Sequence, residues 1–221
     1  MSYFSEKAFL NNSFLFGVFA VSAVTNLNCG FALASFNASG ILLQKQQNWT
    51  ELQITIITSL GIFGLMLGAL FTDKILTIGR LKTMHLANLI MIVSVVPQMF
   101  LTIPSLCIGR FLLGFGSGVC IVATSVFVAE MVPADKVSIY GTSVNLGIVI
   151  GLLITNVIQG ESLPPITDEL AVMTTQWWRL GFGFPVVNSL LSFIFCISIA
   201  KKDTIYFLMD EGDLNGARFQ F

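Results

Sequence analysis

Charged residues are scarce: Asp, Glu, Lys and Arg make up 10% of the 221 residues, against roughly 25% in a soluble domain. That shortage excludes a water-soluble globular fold. Histidine is reduced to His85, and no serine or cysteine has a base nearby in sequence, so the pattern argues against an enzyme. His85 reads as an interfacial residue at the edge of an apolar run. The four cysteines, Cys29, Cys107, Cys120 and Cys196, sit inside apolar runs without CxxC spacing. They read as small buried hydrophobes and imply neither a metal site nor a cofactor. A net charge of -1 and a pI near 5.7 offer no clustered basic surface, which excludes a nucleic-acid partner. The opening "MSYFSEKAFLNNSFLFGVF" lacks a basic segment followed by a small-residue cleavage site. Its apolar run is expected to stay as a helix and to serve as the insertion signal.

What the chain has instead is apolar length. Hydrophobic residues make up 55% and the mean hydropathy is +0.84. At about 20 apolar residues per crossing, there is room for several spans and for no sizeable soluble domain. The expected fold is an all-α integral membrane bundle of six transmembrane helices occupying residues 14–200, after a cytoplasmic N-terminus of residues 1–13. The spans run from Phe14 to Phe36, Leu52 to Thr72, Met84 to Ile103, Ser105 to Met131, Ser138 to Ile158 and Leu180 to Ala200. Cytoplasmic loops are enriched in Lys and Arg. With the N-terminus inside, that side receives Lys7, Lys74, Arg80, Lys82, Lys136, Lys201, Lys202 and Arg218, and the outside only Lys45 and Arg179. Both termini are therefore expected to be cytoplasmic.

This orientation puts the sequon Asn48-Trp49-Thr50 in the first outside loop, where Asn48 is a candidate glycosylation site. The sequon at Asn11 falls inside. Small residues recur at four-residue spacing: Gly64 with Gly68, Gly114 with Gly118, and Gly147 with Gly151. Helices in lipid associate largely through such close-approach faces, so the second, fourth and fifth spans are expected to pack into one bundle. Arg110 is the exception to the charge-free spans. It shares a helical face with Gly114 and Gly118 and is therefore expected to face neighbouring helices, because a charge turned to lipid is costly. Glu130, 20 residues on, closes the same helix at its cytoplasmic end.

Between the second and third spans "GLMLGALFTDKILTIGRLK" forms a charged hairpin, and the fourth span carries "GRFLLGFGSG" and ends in "VAEMVP". With these residues the sequence resembles the N-terminal half of a sugar porter of the major facilitator superfamily, the hexose transporter type. Gly68, Asp73, Gly79 and Arg80 resemble the hairpin signature. Gly109, Arg110, Gly114, Gly116 and Gly118 resemble the fourth-helix pattern, Glu130 and Pro133 its E-x-x-P end, and Trp178-Arg179 with Pro185 the start of the sixth helix. The resemblance covers about Gly30 to Ala217, and it makes residues 201–221 the start of a cytoplasmic helical linker.

The resemblance implies facilitated transport of a hexose-type sugar through the bilayer by alternating access, in a multi-pass protein of the plasma membrane rather than an internal one. Substrate contacts carry over to Asn145 and, as a lesser candidate, Asn156, where an amide can both donate to and accept from sugar hydroxyls. Proton-coupled members carry a first-helix carboxylate; the matching position here is about Ala32, and no Asp or Glu occurs from Phe14 to Leu43, which implies uniport. Since the resemblance covers one half of a two-half architecture, a second six-helix half or a second copy is the implied partner. The alternative is a non-transporting truncated homologue or a regulatory partner of a full-length transporter. Departures from the pattern are the residues "ILTI" before Gly79, Val137-Ser138 in place of Arg-Gly after Pro133, and "KKDTI" after the sixth span.

Overall fold

Backbone groups in a membrane interior must find partners within their own segment, and every described element obeys that rule by being helical. The computed structural model describes residues 12–162, 176 and 178–199. Within them run α1 (Asn12–Ala34), α2 (Asn37–Gln47), α3 (Glu51–Ile75), α4 (Arg80–Gln98), α5 (Ile103–Met131), α6 (Val137–Ser162) and α7 (Trp178–Ile199). Among the described residues, four stretches are long and apolar enough to cross a membrane: Phe14–Ala34, Glu51–Ile78, Ile103–Met131 and Val137–Gln159. The third and sixth expected spans fall on α4 and α7.

The ends of these helices have local causes. Thr50 and Gln53 form a reciprocal cap at the start of α3, the Gln53 side chain accepting from the Thr50 amide at 3.0 Å. Pro97 in the last turn of α4 and Pro104 in the first turn of α5 bracket the short link between them. After Pro133, whose carbonyl accepts from the Lys136 and Val137 amides, α6 begins. The first span is interrupted at Ser35-Phe36, and the expected outside loop begins with the short helix α2.

α5 stands at the centre, packed on α3, α4, α1 and α6, while α7 leans on α1 and α4. Glycines set the closest seams. A Cβ added at Gly64 or Gly68 would collide with the Phe111 or Phe115 carbonyl, and one at Gly114 or Gly118 with the Gly61 or Leu65 carbonyl. The α3–α5 seam thus pairs the two glycine stripes with each other. Gly147 and Gly151 on α6 meet instead the Ala23 and Leu27 backbone of α1. The fifth span therefore seats its glycine face on the first, and touches the fourth only lightly.

Polarity runs opposite to that of a soluble domain. The outer surface shows Leu52, Leu70, Ile139 and Val157, each more than 60% exposed, while Ser22, Thr25, Asn28, Asn88, Ser189 and Ser192 are buried. An apolar exterior costs nothing against lipid, and interhelical hydrogen bonds supply cohesion that the hydrophobic effect does not.

Candidate functional site

Two charged assemblies and one amide-bearing face mark this fold. At one end of the bundle Arg80, the first residue of α4, donates to Glu130 Oε1 of α5 from Nε at 3.0 Å and from Nη2 at 2.7 Å. The hairpin that delivers Arg80 contains the extra residues of the sequence. Leu76–Ile78 take a single 3₁₀ turn closed by the Gly79 amide on the Leu76 carbonyl, and Gly79 reverses the chain at φ 123°. Only glycine adopts that angle without strain. Thr83 then fastens the turn, its hydroxyl donating to the Gly79 carbonyl at 2.6 Å and the Ile75 carbonyl at 3.1 Å. The insertion is thereby absorbed without losing the Arg80–Glu130 pair. Asp73 lies exposed on the last turn of α3 and makes no ion pair among the described residues. Gly68 belongs to the α3–α5 seam, and Pro133 to the turn after Glu130.

Toward the other end Arg110 is 4% exposed. Nη1 donates to the Ala32 carbonyl at 3.2 Å and to the Ser35 hydroxyl at 2.9 Å, and the guanidinium lies 4.9 Å from the centroid of the Phe36 ring. The break in α1 at Ser35-Phe36 brings these acceptors under the arginine. Phe36 in turn stacks on Phe182 of α7, which meets buried Trp178 edge-on. Arg179 is exposed, donates to the Gln176 side chain at 2.8 Å and lies 5.2 Å from the Trp178 ring centroid. Arg110 thus faces inward as its spacing implied, with neutral oxygens in place of a carboxylate.

Asn145 and Asn156 lie on one exposed stripe of α6, opposite the face that seats on α1. Eleven residues separate them, about 16 Å of helix rise. Asn145 makes no side-chain hydrogen bond among the described residues, while the Asn156 amide donates back to the Leu152 carbonyl at 2.9 Å. The fold does not bring either one to Arg110. Asn48 ends α2 in the left-handed region at φ 53° and is exposed. His85 packs at a tilt of 37° against Phe193 with ring centroids 4.2 Å apart. Lys7 and the residues from 200 onward lie outside the described residues.

Single-residue reading of the sequence passed over the interior hydroxyls and amides. Ser192 of α7 bonds the Thr25 hydroxyl of α1 at 2.8 Å and accepts from the Asn88 amide of α4 at 3.1 Å. Asn28 donates to Ser189 at 2.6 Å, Ser22 meets Ser143 of α6, and Gln159 donates to Ser39 at 3.0 Å. The available signal was the clustering of polar residues at Ser22, Thr25 and Asn28, and at Ser189 and Ser192, within otherwise apolar runs.

The chain matches the profile of the family described as "Sugar (and other) transporter" over residues 8–219. It is 26% identical to hexose transporter 1 of Plasmodium falciparum (isolate 3D7) over 212 residues, 93% of this chain and 42% of that protein. It is 24% identical to solute carrier family 2, facilitated glucose transporter member 3 of Gallus gallus, over 87% of this chain and 41% of that protein. Among solved structures it superposes on the proton:xylose symporter XylE of the major facilitator superfamily, bound to 6-bromo-6-deoxy-D-glucose. The TM-score is 0.80 at 19% identity, covering 95% of this chain and 49% of that one. The partially occluded inward-open form of XylE from E. coli gives a TM-score of 0.81 at 18% identity. The chain spans less than half the length of the hexose transporters it matches. All of these relatives are transporters and none is an enzyme. With an all-helical bundle that superposes on half of a major facilitator and a family match along nearly its whole length, the chain belongs to the sugar transporter family of multi-pass membrane proteins.

Proposed function

We propose that this chain is one half of a hexose facilitator, a uniporter that works by alternating access and needs a second six-helix half to enclose its substrate. In this reading all six expected spans cross the bilayer, both termini are cytoplasmic, and the membrane is the plasma membrane. The observation that carries it is the exposed amide stripe of α6. Asn145 and Asn156 are left open on the side of α6 away from α1, where an opposing half can close over a sugar. Asn145, with its amide unengaged, is the principal substrate contact and Asn156 the lesser one.

Uniport is supported by the surroundings of Arg110. A proton relay needs a titratable group within the membrane, and the groups around this arginine are the Ala32 carbonyl, the Ser35 hydroxyl and the Phe36 ring. The Arg80–Glu130 pair is placed to hold the cytoplasmic ends of two helices together in one state of the cycle. Sugar uptake by the native-length protein in transport-deficient cells is the test. Asn145→Ala is expected to lower uptake at least tenfold with surface expression unchanged; full activity would remove the residue from the substrate path, and sugar-dependent proton uptake into vesicles would overturn uniport.

A second reading, a non-transporting homologue or regulatory partner of a full-length transporter, draws on Val137-Ser138 after Pro133 and "KKDTI" after the sixth span, where the family pattern is reduced. Immunoblotting of source membranes after deglycosylation is the first step in separating the two. A band near 24.1 kDa makes this a six-helix protein and turns the question to what it pairs with, and one about twice that size favours the facilitator.

A further inference from the structure

A buried charge in an apolar medium persists only where something of opposite sign compensates it. Among the described residues no carboxylate meets Arg110. Its two hydrogen bonds both leave from Nη1 and end on neutral oxygens, and the buried Nε–H has no acceptor among the described residues. Beside it lies a cavity of about 160 Å³ between α1, α3 and α5, lined by Ala32, Thr58, Gly61, Arg110, Leu113 and Gly114 among others. Thr58 spends its hydroxyl proton on the Ile54 carbonyl at 2.9 Å. The donors turned to the cavity therefore come from a cation, and the remaining walls are small or apolar.

The ligand that suits this space accepts hydrogen bonds, carries negative charge and is small. A cation is repelled, and a neutral sugar hydroxyl could satisfy Nε–H without compensating the charge. We propose that the cavity binds one small monovalent anion, for which chloride is the probe, held by the Arg110 guanidinium beside Ala32. Its volume accommodates a chloride with a few waters, since a water takes about 30 Å³. The small side chain of Ala32 leaves the space open. Arg110 lies seven residues from the first residue of α5, about 10 Å of helix rise, so the anion enters from the aqueous phase at that end.

The test is thermal unfolding of the full 221-residue chain in lipid nanodiscs at equal ionic strength of about 0.15 M, in sodium chloride and in sodium gluconate, whose bulky, heavily hydrated anion must shed far more water than chloride to reach the guanidinium. Chloride is expected to raise the midpoint by about 3 °C, as a ligand held well above its dissociation constant does. Ala32→Asp, which supplies a tethered carboxylate at the cavity wall, is expected to erase the difference while unfolding in gluconate no earlier than the native chain does in chloride. Ala32→Leu, which fills the space with carbon, is expected to erase it too, without that gain. Equal midpoints for the native chain in the two salts would overturn the proposal, and so would an undiminished chloride effect in whichever of the two variants folds.

Discussion

Replacing glycine by alanine in this bundle is expected to change stability in opposite directions according to what faces the missing methyl. In a helix interior the substitution stabilises by roughly 0.5 to 1 kcal/mol, because the unfolded chain has less freedom to lose. At Gly141 in α6 and Gly183 in α7 a new Cβ would meet nothing within 4 Å, so that gain should appear in full. At Gly114 the same atom would collide with the Gly61 carbonyl, a rigid backbone group. The α3–α5 seam must open, and overpacking of this kind costs about 1 to 3 kcal/mol. The net effect of Gly114→Ala runs from about zero to a loss of about 2.5 kcal/mol, and it lies about 1 to 3 kcal/mol below the two open sites, which share the same gain. For a chain of this size 1 kcal/mol moves the midpoint by roughly 2 to 4 °C, so the two classes should differ by about 6 °C. Tryptophan fluorescence during heating, with Trp178 buried among the aromatic rings of one end, reads the transition. If Gly114→Ala melts with Gly141→Ala, the backbone contact of α3 with α5 is not what holds that seam.

Three further outcomes follow from the described contacts. Glu130→Gln removes the charge partner of Arg80, whose side chain is 21% exposed, and is expected to cost about 1 to 3 kcal/mol in thermal unfolding; partial recovery in the double exchange Arg80→Glu with Glu130→Arg would mark the pair itself as the cause. Ser192→Val strips a hydroxyl from both Thr25 and Asn88 and should lower stability by about 1 to 2 kcal/mol, whereas Ser125→Val, at an exposed hydroxyl that bonds only its own helix, should be neutral within about 0.5 kcal/mol. Expressed in a glycosylating host, the protein should run faster on a gel after glycosidase treatment, and Asn48→Gln should remove that shift in a chain whose neighbouring sequon Asn37-Ala38-Ser39 is also closed by Asn37→Gln; an unmodified native band would count against Asn48 facing the lumen.

Much of the fold was legible because hydropathy and glycine spacing are direct readouts of packing in lipid. "GLMLGALF" and "GRFLLGFGSG" showed small residues at spacing that only close helix contact rewards, and the collision of Gly64, Gly68, Gly114 and Gly118 with opposing carbonyls is that contact. What spacing does not encode is the partner. Gly147 and Gly151 carry the same signature, yet seat on α1, because which of several similar grooves receives a ridge depends on the whole arrangement of helices. The break at Ser35-Phe36 also escaped notice, since neither residue is a strong helix breaker; it is sustained by the Arg110 guanidinium over Phe36 and by Phe182 behind it. The candidate site was legible residue by residue and not as geometry. Asn145 and Asn156 came one at a time from the resemblance, and that they share the uncovered face of α6 follows only from seeing its opposite side occupied by α1.

The seams also constrain the order of assembly, because each joins helices distant in the chain. Gly147 meets Ala23, 124 residues earlier. At a synthesis rate of about 5 to 20 residues per second, the α1 face waits roughly 6 to 25 seconds for its complement, and the α3 stripe must wait for α5. During that interval the membrane-inserted chain presents bare backbone carbonyls and the hydroxyls of Ser22 and Thr25 with their final partners still unmade. The fold is therefore one whose biogenesis depends on a host that shelters early helices until late ones arrive.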